Sequence, residues 1–248
     1  MSIGAPDVAV IVPMRGGSKR LPGKHARLLA GRSLPARTAA VLQACGLGDR
    51  VWLTTDDPDL AETGRALGWR VPALRPADLA GDGTPTLDAV FHALDEMVTG
   101  EPEIVIVMQT TSPFCPADAP ARALALLAER PALASVLAVK RLHVAAAHVR
   151  GARADGTIAP LLPADAPADA PADAAVGRGP AFTPTGALYA VRTAALRQAR
   201  SLTVDPVAPL ELDEVGAVDI DTPEDWARAE AFAQAGLAGR CLDLEEPA

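Results

Sequence analysis

Val8-Ala-Val-Ile-Val-Pro-Met-Arg-Gly-Gly-Ser-Lys-Arg-Leu-Pro-Gly-Lys-His25 is the stretch on which the reading of this chain turns. Val8–Val12 is an unbroken apolar run, the pattern of a strand buried on both faces. It empties into a loop holding two adjacent glycines, Gly16 and Gly17, then Ser18, with four cations: Arg15, Lys19, Arg20 and Lys24. Glycines permit backbone conformations closed to other residues and can turn N–H groups towards an anion. Cations at this density suit a polyphosphate. The Walker P-loop is excluded, because Gly17 to Gly23 is one residue too long and His25 follows Lys24. The dinucleotide fingerprint is absent as well. A solvated basic turn after an edge strand is the plainer reading. Against it stands the rarity of such a cationic cluster in an acidic chain.

That acidity is considerable: net charge is −8 and the pI about 5.0 over 248 residues. The balance argues against nucleic acid or an anionic membrane as partner. Hydrophobic residues make up 49% and aromatics 3%, so aliphatics and alanine must fill the core. The length suits one α/β domain with room for an insertion. Cys45, Cys115 and Cys241 form no CxxC pair, and so no zinc or disulfide framework. The N-terminal Met-Ser-Ile-Gly-Ala-Pro-Asp lacks a signal pattern and no apolar run nears about 18 residues. A soluble cytoplasmic protein is the expectation.

Further strands are predicted at Val51–Thr54, Ile104–Met108 and Ser135–Val139. Helices are predicted at Leu34–Cys45, at Leu60–Leu67 with Asp57 as cap and Pro58 in the first turn, from Thr84-Pro85 to about Met97, and at Ala117–Glu129. Alternation of this kind implies a three-layer α/β fold with a mainly parallel sheet, ligands sitting beyond the carboxyl ends of the strands. Three polar clusters fall there: Arg15–Lys24, Thr54-Thr55-Asp56-Asp57 and Gln109-Thr110-Thr111-Ser112. The chain reads as one domain, 1–248, with an irregular insertion at about 140–186. Inside it Pro-Ala-Asp-Ala occurs three times over 163–174, where prolines forbid a regular helix and a surface loop is expected. Regular structure resumes at Ala187–Val191.

A second informative stretch is Val218-Asp219-Ile220-Asp221-Thr222-Pro223-Glu224-Asp225. Val218–Asp221 reads as a short strand, which puts Asp219 and Asp221 on one face, roughly 6.5–7 Å apart at Cα. Two carboxylates so close call for a cation, and Mg²⁺ suits their oxygens. The plain alternative is helix capping. Thr222 to Asp225 forms a capping box for a helix at Pro223–Ala235, which accounts for Thr222 but for neither Asp219 nor Asp221. His92, His143, His148 and Cys115, with Trp52, Trp69 and Trp226, take structural readings. No nucleophilic Ser or Cys arrangement is present.

The cationic loop resembles the signature of the CMP-N-acylneuraminate synthetases, roughly Ala-Arg-Gly-Gly-Ser-Lys-x-(Leu/Ile)-Pro-x-Lys-Asn, with Met14 for Ala and His25 for Asn. Thr54–Asp57, Leu74–Ala80, Gln109–Pro113, Gly186–Tyr189 and Asp219–Thr222 resemble family blocks in the family's order, over about residues 8 to 235. The resemblance implies a Rossmann-like nucleotidyltransferase fold with a small inserted dimerisation region, hence a homodimer. It implies a Mg²⁺-dependent cytidylyltransferase that uses CTP and an acidic acceptor and releases pyrophosphate. Arg15 and Lys24 would act on the phosphates within a nucleotide-binding loop that includes Gly16, Gly17, Ser18 and Lys19. Lys19 and Arg20 would serve pyrophosphate or loop closure, and Thr86 and Gln109 the nucleotide. Asp219 would bind Mg²⁺ and help take the acceptor's proton, and Asp221 would hold the metal.

Departures gather on the acceptor side. Thr110, Phe114 and Cys115 replace Pro, Leu and Arg, and Thr183 and Thr185 replace Arg and Asn. Threonine cannot supply bidentate contact to a carboxylate, unless another cation such as Arg178 does so. The acceptor is therefore open among a sialic acid, a legionaminic- or pseudaminic-type acid, a Kdo-type acid and a small phosphonate. A sugar-1-phosphate nucleotidyltransferase and a non-catalytic nucleotide-binding protein are the competing readings.

Overall fold

The computed structural model describes residues 7–81, 83–143, 149–152, 154–155, 157–160 and 180–237. The Pro-Ala-Asp-Ala repeat, His148, Arg178 and Cys241 lie outside these residues. In chain order the elements are β1 (Val8–Pro13), β2 (Leu28–Leu29), β3 (Arg32–Ser33), α1 (Leu34–Ala44), β4 (Val51–Thr54), α2 (Pro58–Ala66) and α3 (Thr86–Glu96). They continue with β5 (Ile104–Met108), α4 (Ala119–Glu129), β6 (Ser135–Arg141), β7 (Arg150–Ala152), β8 (Ile158–Pro160), β9 (Phe182–Arg192), α5 (Thr193–Ala199), β10 (Val207–Leu212) and α6 (Pro223–Gln234).

The main sheet runs β10-β6-β9-β5-β1-β4. Its pairs are parallel except where β9 lies antiparallel between β5 and β6. Alternate residues of β1 and β5 enter two different cores, as the continuous apolar runs require. Val8, Val10, Val12, Ile104 and Ile106 pack with residues of α1, α2 and α4. Ala9, Ile11, Val105 and Val107 pack with α3 and with Leu196 of α5. Those are the three layers expected. A third apolar cluster sits beyond the strand ends and joins Leu21 of the cationic loop, Leu29, Leu34 and Phe114 to Val218, Ile220 and Trp226.

The structure revises several boundaries. α2 starts at Pro58, because the Asp57 carboxylate accepts from the N–H groups of Asp59 and Leu60 at 2.8 and 3.1 Å. α4 starts at Ala119, two residues late, because Pro116 accepts from the Ala119 N–H in a turn that precedes it. β6 runs on to Arg141 and β9 begins at Phe182 rather than Ala187. The two strands stay paired past a register shift between Leu137 and Val139, so Lys140 lies opposite Thr183. β7 and β8 form an antiparallel pair inside the span read as irregular. The expected strand at Val218–Asp221 does not form. Its alternation is real, with Val218 and Ile220 buried, but the Ile220 N–H to Thr111 carbonyl bond stands in place of a ladder. The capping box is present, Thr222 and Asp225 bonding reciprocally. Cys115 fills the first core, and Trp52, Trp69 and Trp226 are buried as packing residues. Among the described residues no helix is long and apolar enough to cross a membrane.

Candidate active site

At the carboxyl ends of β1, β4 and β5 lies a cavity of about 520 Å³, walled by Arg15, Ser18, Lys19, Arg20, Lys24, His25, Arg75, Thr86, Gln109, Thr110, Thr111 and Asp221, among others. The loop after β1 is anchored to the loop after β4. The Gly16 N–H donates to Asp56 Oδ1 at 3.2 Å, and Asp57 lies directly beneath the Gly16 Cα. A Cβ at Gly16 would fall 2.3 Å from Asp57 Oδ2, whereas at Gly17 it would meet nothing within 4 Å. Gly16 thus plays a different part from the one expected. Neither glycine takes a positive φ, the Gly16 N–H is spent on Asp56, and neither residue lines the cavity. Close approach to Asp57 is what excludes a side chain at Gly16.

Arg75 completes the anchor. Its guanidinium, 7% exposed, donates to the Met14 carbonyl at 3.1 Å and approaches Asp56 Oδ1 at 3.5 Å. Burial lowers its pKa and the nearby Arg15 adds to this, while Asp56 opposes both. Among the sequence motifs Arg75 was only part of a matched block. Nothing in its periodicity announces a buried cation that reaches Met14.

The other cations close the cavity against the acidic segment. Lys24, almost fully buried, donates to the Ile220 carbonyl at 3.1 Å and pairs with Asp221 Oδ1 at 3.0 Å. Arg20 pairs with Asp221 Oδ2 at 2.7 Å. Burial opposes the charge of Asp221, but Lys24 and Arg20 outweigh it and hold its carboxyl below the usual range. Asp219 is in the opposite condition. Burial raises its pKa and the Asp221 carboxylate adds to the rise, against a hydrogen bond from Thr111 and the charge of Lys24. Its Oδ1 is sealed from solvent and has no hydrogen-bond partner among the described residues. Asp219 does not line the cavity itself. Both Asp219 and Gln109 border Gly186, where a Cβ would lie 3.7 Å from Asp219 Oδ2 and from Gln109 Nε2.

This donor set fits a magnesium ion. Mg²⁺ commonly takes one or two carboxylates and completes its shell with water and substrate phosphates. Asp219 offers an unsatisfied buried oxygen beside the anionic Asp221, near a cavity lined by Arg15, Lys19, Arg20 and Lys24. On the acceptor side, Thr185 is committed to the fold: its hydroxyl donates to the Ala138 carbonyl at 3.2 Å and accepts from the Ala187 N–H at 3.3 Å.

Comparison with known proteins places this geometry. A family profile described as "Cytidylyltransferase" matches residues 9–150. The CMP-N,N'-diacetyllegionaminic acid synthase of Legionella pneumophila is 28% identical over 231 residues, 92% of this chain and 96% of that protein. The 3-deoxy-manno-octulosonate cytidylyltransferase of Azorhizobium caulinodans is 30% identical over 260 residues, 94% of this chain and 98% of that protein. A solved structure of CMP:2-keto-3-deoxy-manno-octonic acid synthetase complexed with CTP superposes with a TM-score of 0.66 at 19% identity, covering 93% of this chain and 99% of that one, which establishes a shared fold. The profile spans more than half of this chain and a relative 30% identical covers nearly all of it, so this chain belongs to the cytidylyltransferase family of nucleotidyltransferases.

Proposed function

We propose that this protein transfers CMP from CTP to a hydroxyl of an acidic sugar with release of pyrophosphate, and that the acceptor is a sugar acid of the legionaminic or Kdo kind. The observation that carries the reading is a cationic cavity after β1 beside an acidic segment in which the buried Oδ1 of Asp219 has no hydrogen-bond partner among the described residues. Support for the acceptor class comes from the names of the two relatives that match along almost their whole length.

The acceptor oxygen bonds to the α-phosphorus, the bond from that phosphorus to the bridging oxygen breaks, and pyrophosphate leaves. Arg15 and Lys19 hold the phosphate chain. Lys24 and Arg20 exchange Asp221 for the departing charge, which costs little because a cation–carboxylate pair is replaced by a cation–phosphate pair. Thr86 and Gln109 orient the nucleotide from the cavity wall. Asp219 accepts the acceptor's proton, and burial makes its carboxylate a better base than an ordinary aspartate. Asp219 and Asp221 would hold Mg²⁺, which supplies electrostatic stabilisation to the phosphates when bound. Positioning and charge compensation then provide most of the catalysis.

Pyrophosphate release with CTP against a panel of legionaminic acid, Kdo, N-acetylneuraminate and small phosphonates tests the reading. Legionaminic acid or Kdo should be the efficient acceptor. Turnover confined to a sugar 1-phosphate, or none with any acceptor despite CTP binding, would refute the proposal.

A further inference from the structure

His25 and Thr110, two of the departures noted in the sequence, stand 85 positions apart, and the fold brings them into contact: Thr110 Oγ1 and His25 Nδ1 are 3.1 Å apart. Both side chains belong to the cavity wall and both are nearly sealed, at 7% and 1% exposure for His25 and Thr110. We propose that His25 is a further nucleotide-binding residue, a neutral imidazole locked by Thr110 in the tautomer that donates from Nε2 to an oxygen of the bound triphosphate.

Hydrogen-bond bookkeeping determines the tautomer. The Thr110 hydroxyl is buried, and among the described residues Nδ1 is its only hydrogen-bond partner. A buried hydroxyl needs an acceptor for its proton. Nδ1 must therefore present its lone pair to Thr110, and the ring's one proton in the neutral form resides on Nε2. Nε2 has no partner among the described residues, and it is absent from the buried polar atoms that lack one, which include His92 Nδ1. The ring itself lines the cavity. Two charged groups act on the ring, and both are accounted for: Lys24 disfavours protonation together with burial, and Asp57 opposes them without prevailing.

The chemistry of the wall makes a neutral donor useful. Arg15, Lys19, Arg20, Lys24 and Arg75 already crowd positive charge around the space, enough for Arg15 to weaken the protonation of Arg75. Another full charge would add repulsion in the free protein. An uncharged N–H adds a directed hydrogen bond to a phosphate oxygen without that cost.

This inference rests on the triphosphate reading of the cavity, and the test separates the two. In ¹⁵N-labelled protein, long-range proton–nitrogen spectra report the protonation of each ring nitrogen, with His25→Phe providing the assignment. We expect Nδ1 unprotonated and Nε2 protonated from pH 6 to 8, and a shift of the Nε2 signal on saturation with CTP. His25→Phe should raise KM for CTP about tenfold or more at nearly unchanged kcat, the scale of a hydrogen bond to a charged acceptor. Thr110→Val, which keeps shape and removes the hydroxyl proton, should populate the second tautomer and raise KM by a smaller factor. It provides the same test should the Phe variant fail to fold. Protonation on Nδ1 in the free protein overturns the proposal. So does a ring signal unmoved while backbone amides of Arg15 to Lys24 report CTP binding. If no signal of the cavity responds to CTP, the triphosphate reading falls with it.

Discussion

Acid sensitivity at His25 offers a quantitative check on the buried wall of the cavity. Burial and Lys24 push the imidazole from its ordinary 6.5 down to about 4. Above pH 6.5 the ring is neutral in both folded and unfolded chains, so it contributes no difference. As pH falls below 6.5 the unfolded chain takes up a proton that the folded protein refuses, and stability drops until about pH 4. The full loss over that interval is about 3 kcal/mol at 1.36 kcal/mol per unit, and about 2 kcal/mol of it is spent by pH 5. Asp219 acts in the opposite direction: a carboxyl raised in the folded state gains stability as pH falls. The clean quantity is therefore a difference between proteins. Urea unfolding of wild type and His25→Gln at pH 7.5 and pH 5 should show wild type losing about 2 kcal/mol more than the variant. Thermal scans should show the matching excess, about 4–8 °C in Tm. Parallel losses in the two proteins would mean that the ring is solvated or already charged, and the argument for a neutral donor would fail with it.

Three further outcomes follow from the geometry. Gly16→Ala must push Asp57 aside, costing the α2 cap about 0.5–2 kcal/mol and CTP affinity besides, while Gly17→Ala should stay within about 0.5 kcal/mol of wild type; equal effects in a melting assay would contradict the close approach. Asp219→Asn should lower kcat by about 10²–10⁴ with cooperative unfolding intact, and metal titration by calorimetry should show weaker Mg²⁺ binding in the presence of CTP; near wild-type turnover removes Asp219 from the chemistry. Thr222→Ala, which dismantles the capping box of α6, should cost about 1 kcal/mol in denaturant unfolding and leave KM for CTP alone, and a large rise in KM would assign Thr222 to the site.

What could be read in advance follows the length scale of each interaction. β4 and β5 have the expected bounds and β1 differs by one residue, because burial on both faces leaves a continuous apolar run that needs no partner to be recognised. Local capping was legible too, in Asp57 with Pro58 and in Thr222 with Asp225. Val218–Asp221 misled because period-two burial does not require a ladder: one bond to Thr111 and a place in the third core suffice. Of the residues singled out, Arg15, Ser18, Lys19, Arg20 and Lys24 reach the cavity with Thr86, Gln109 and Asp221, while Gly16, Gly17 and Asp219 do not line it. The contacts that escaped were long in sequence. Arg75 reaches Met14 across 61 positions and His25 meets Thr110 across 85, and neither spacing leaves a periodic trace.

Magnitudes decide what holds the two halves of the site together. The visible links between the cationic loop and the acidic segment are the ion pairs of Lys24 and Arg20 with Asp221 and the buried Lys24 bond to the Ile220 carbonyl, and in the Arg20 pair the side chains are 66% and 41% exposed. An exposed pair of that kind contributes about 0–1 kcal/mol and weakens with salt. Beneath it, Leu21 from the loop and Val218 and Ile220 from the acidic segment share the third core with Trp226. Each buried aliphatic side chain there is worth about 1.5–3 kcal/mol. Geometry is therefore carried by the apolar cluster together with the buried Lys24–Ile220 bond, and the exposed Arg20–Asp221 pair above it adds little to stability. That division suits a site whose cations must change partners. Lys24 and Arg20 can leave Asp221 for phosphate without loosening the loop, because the residues that position the loop are never asked to let go.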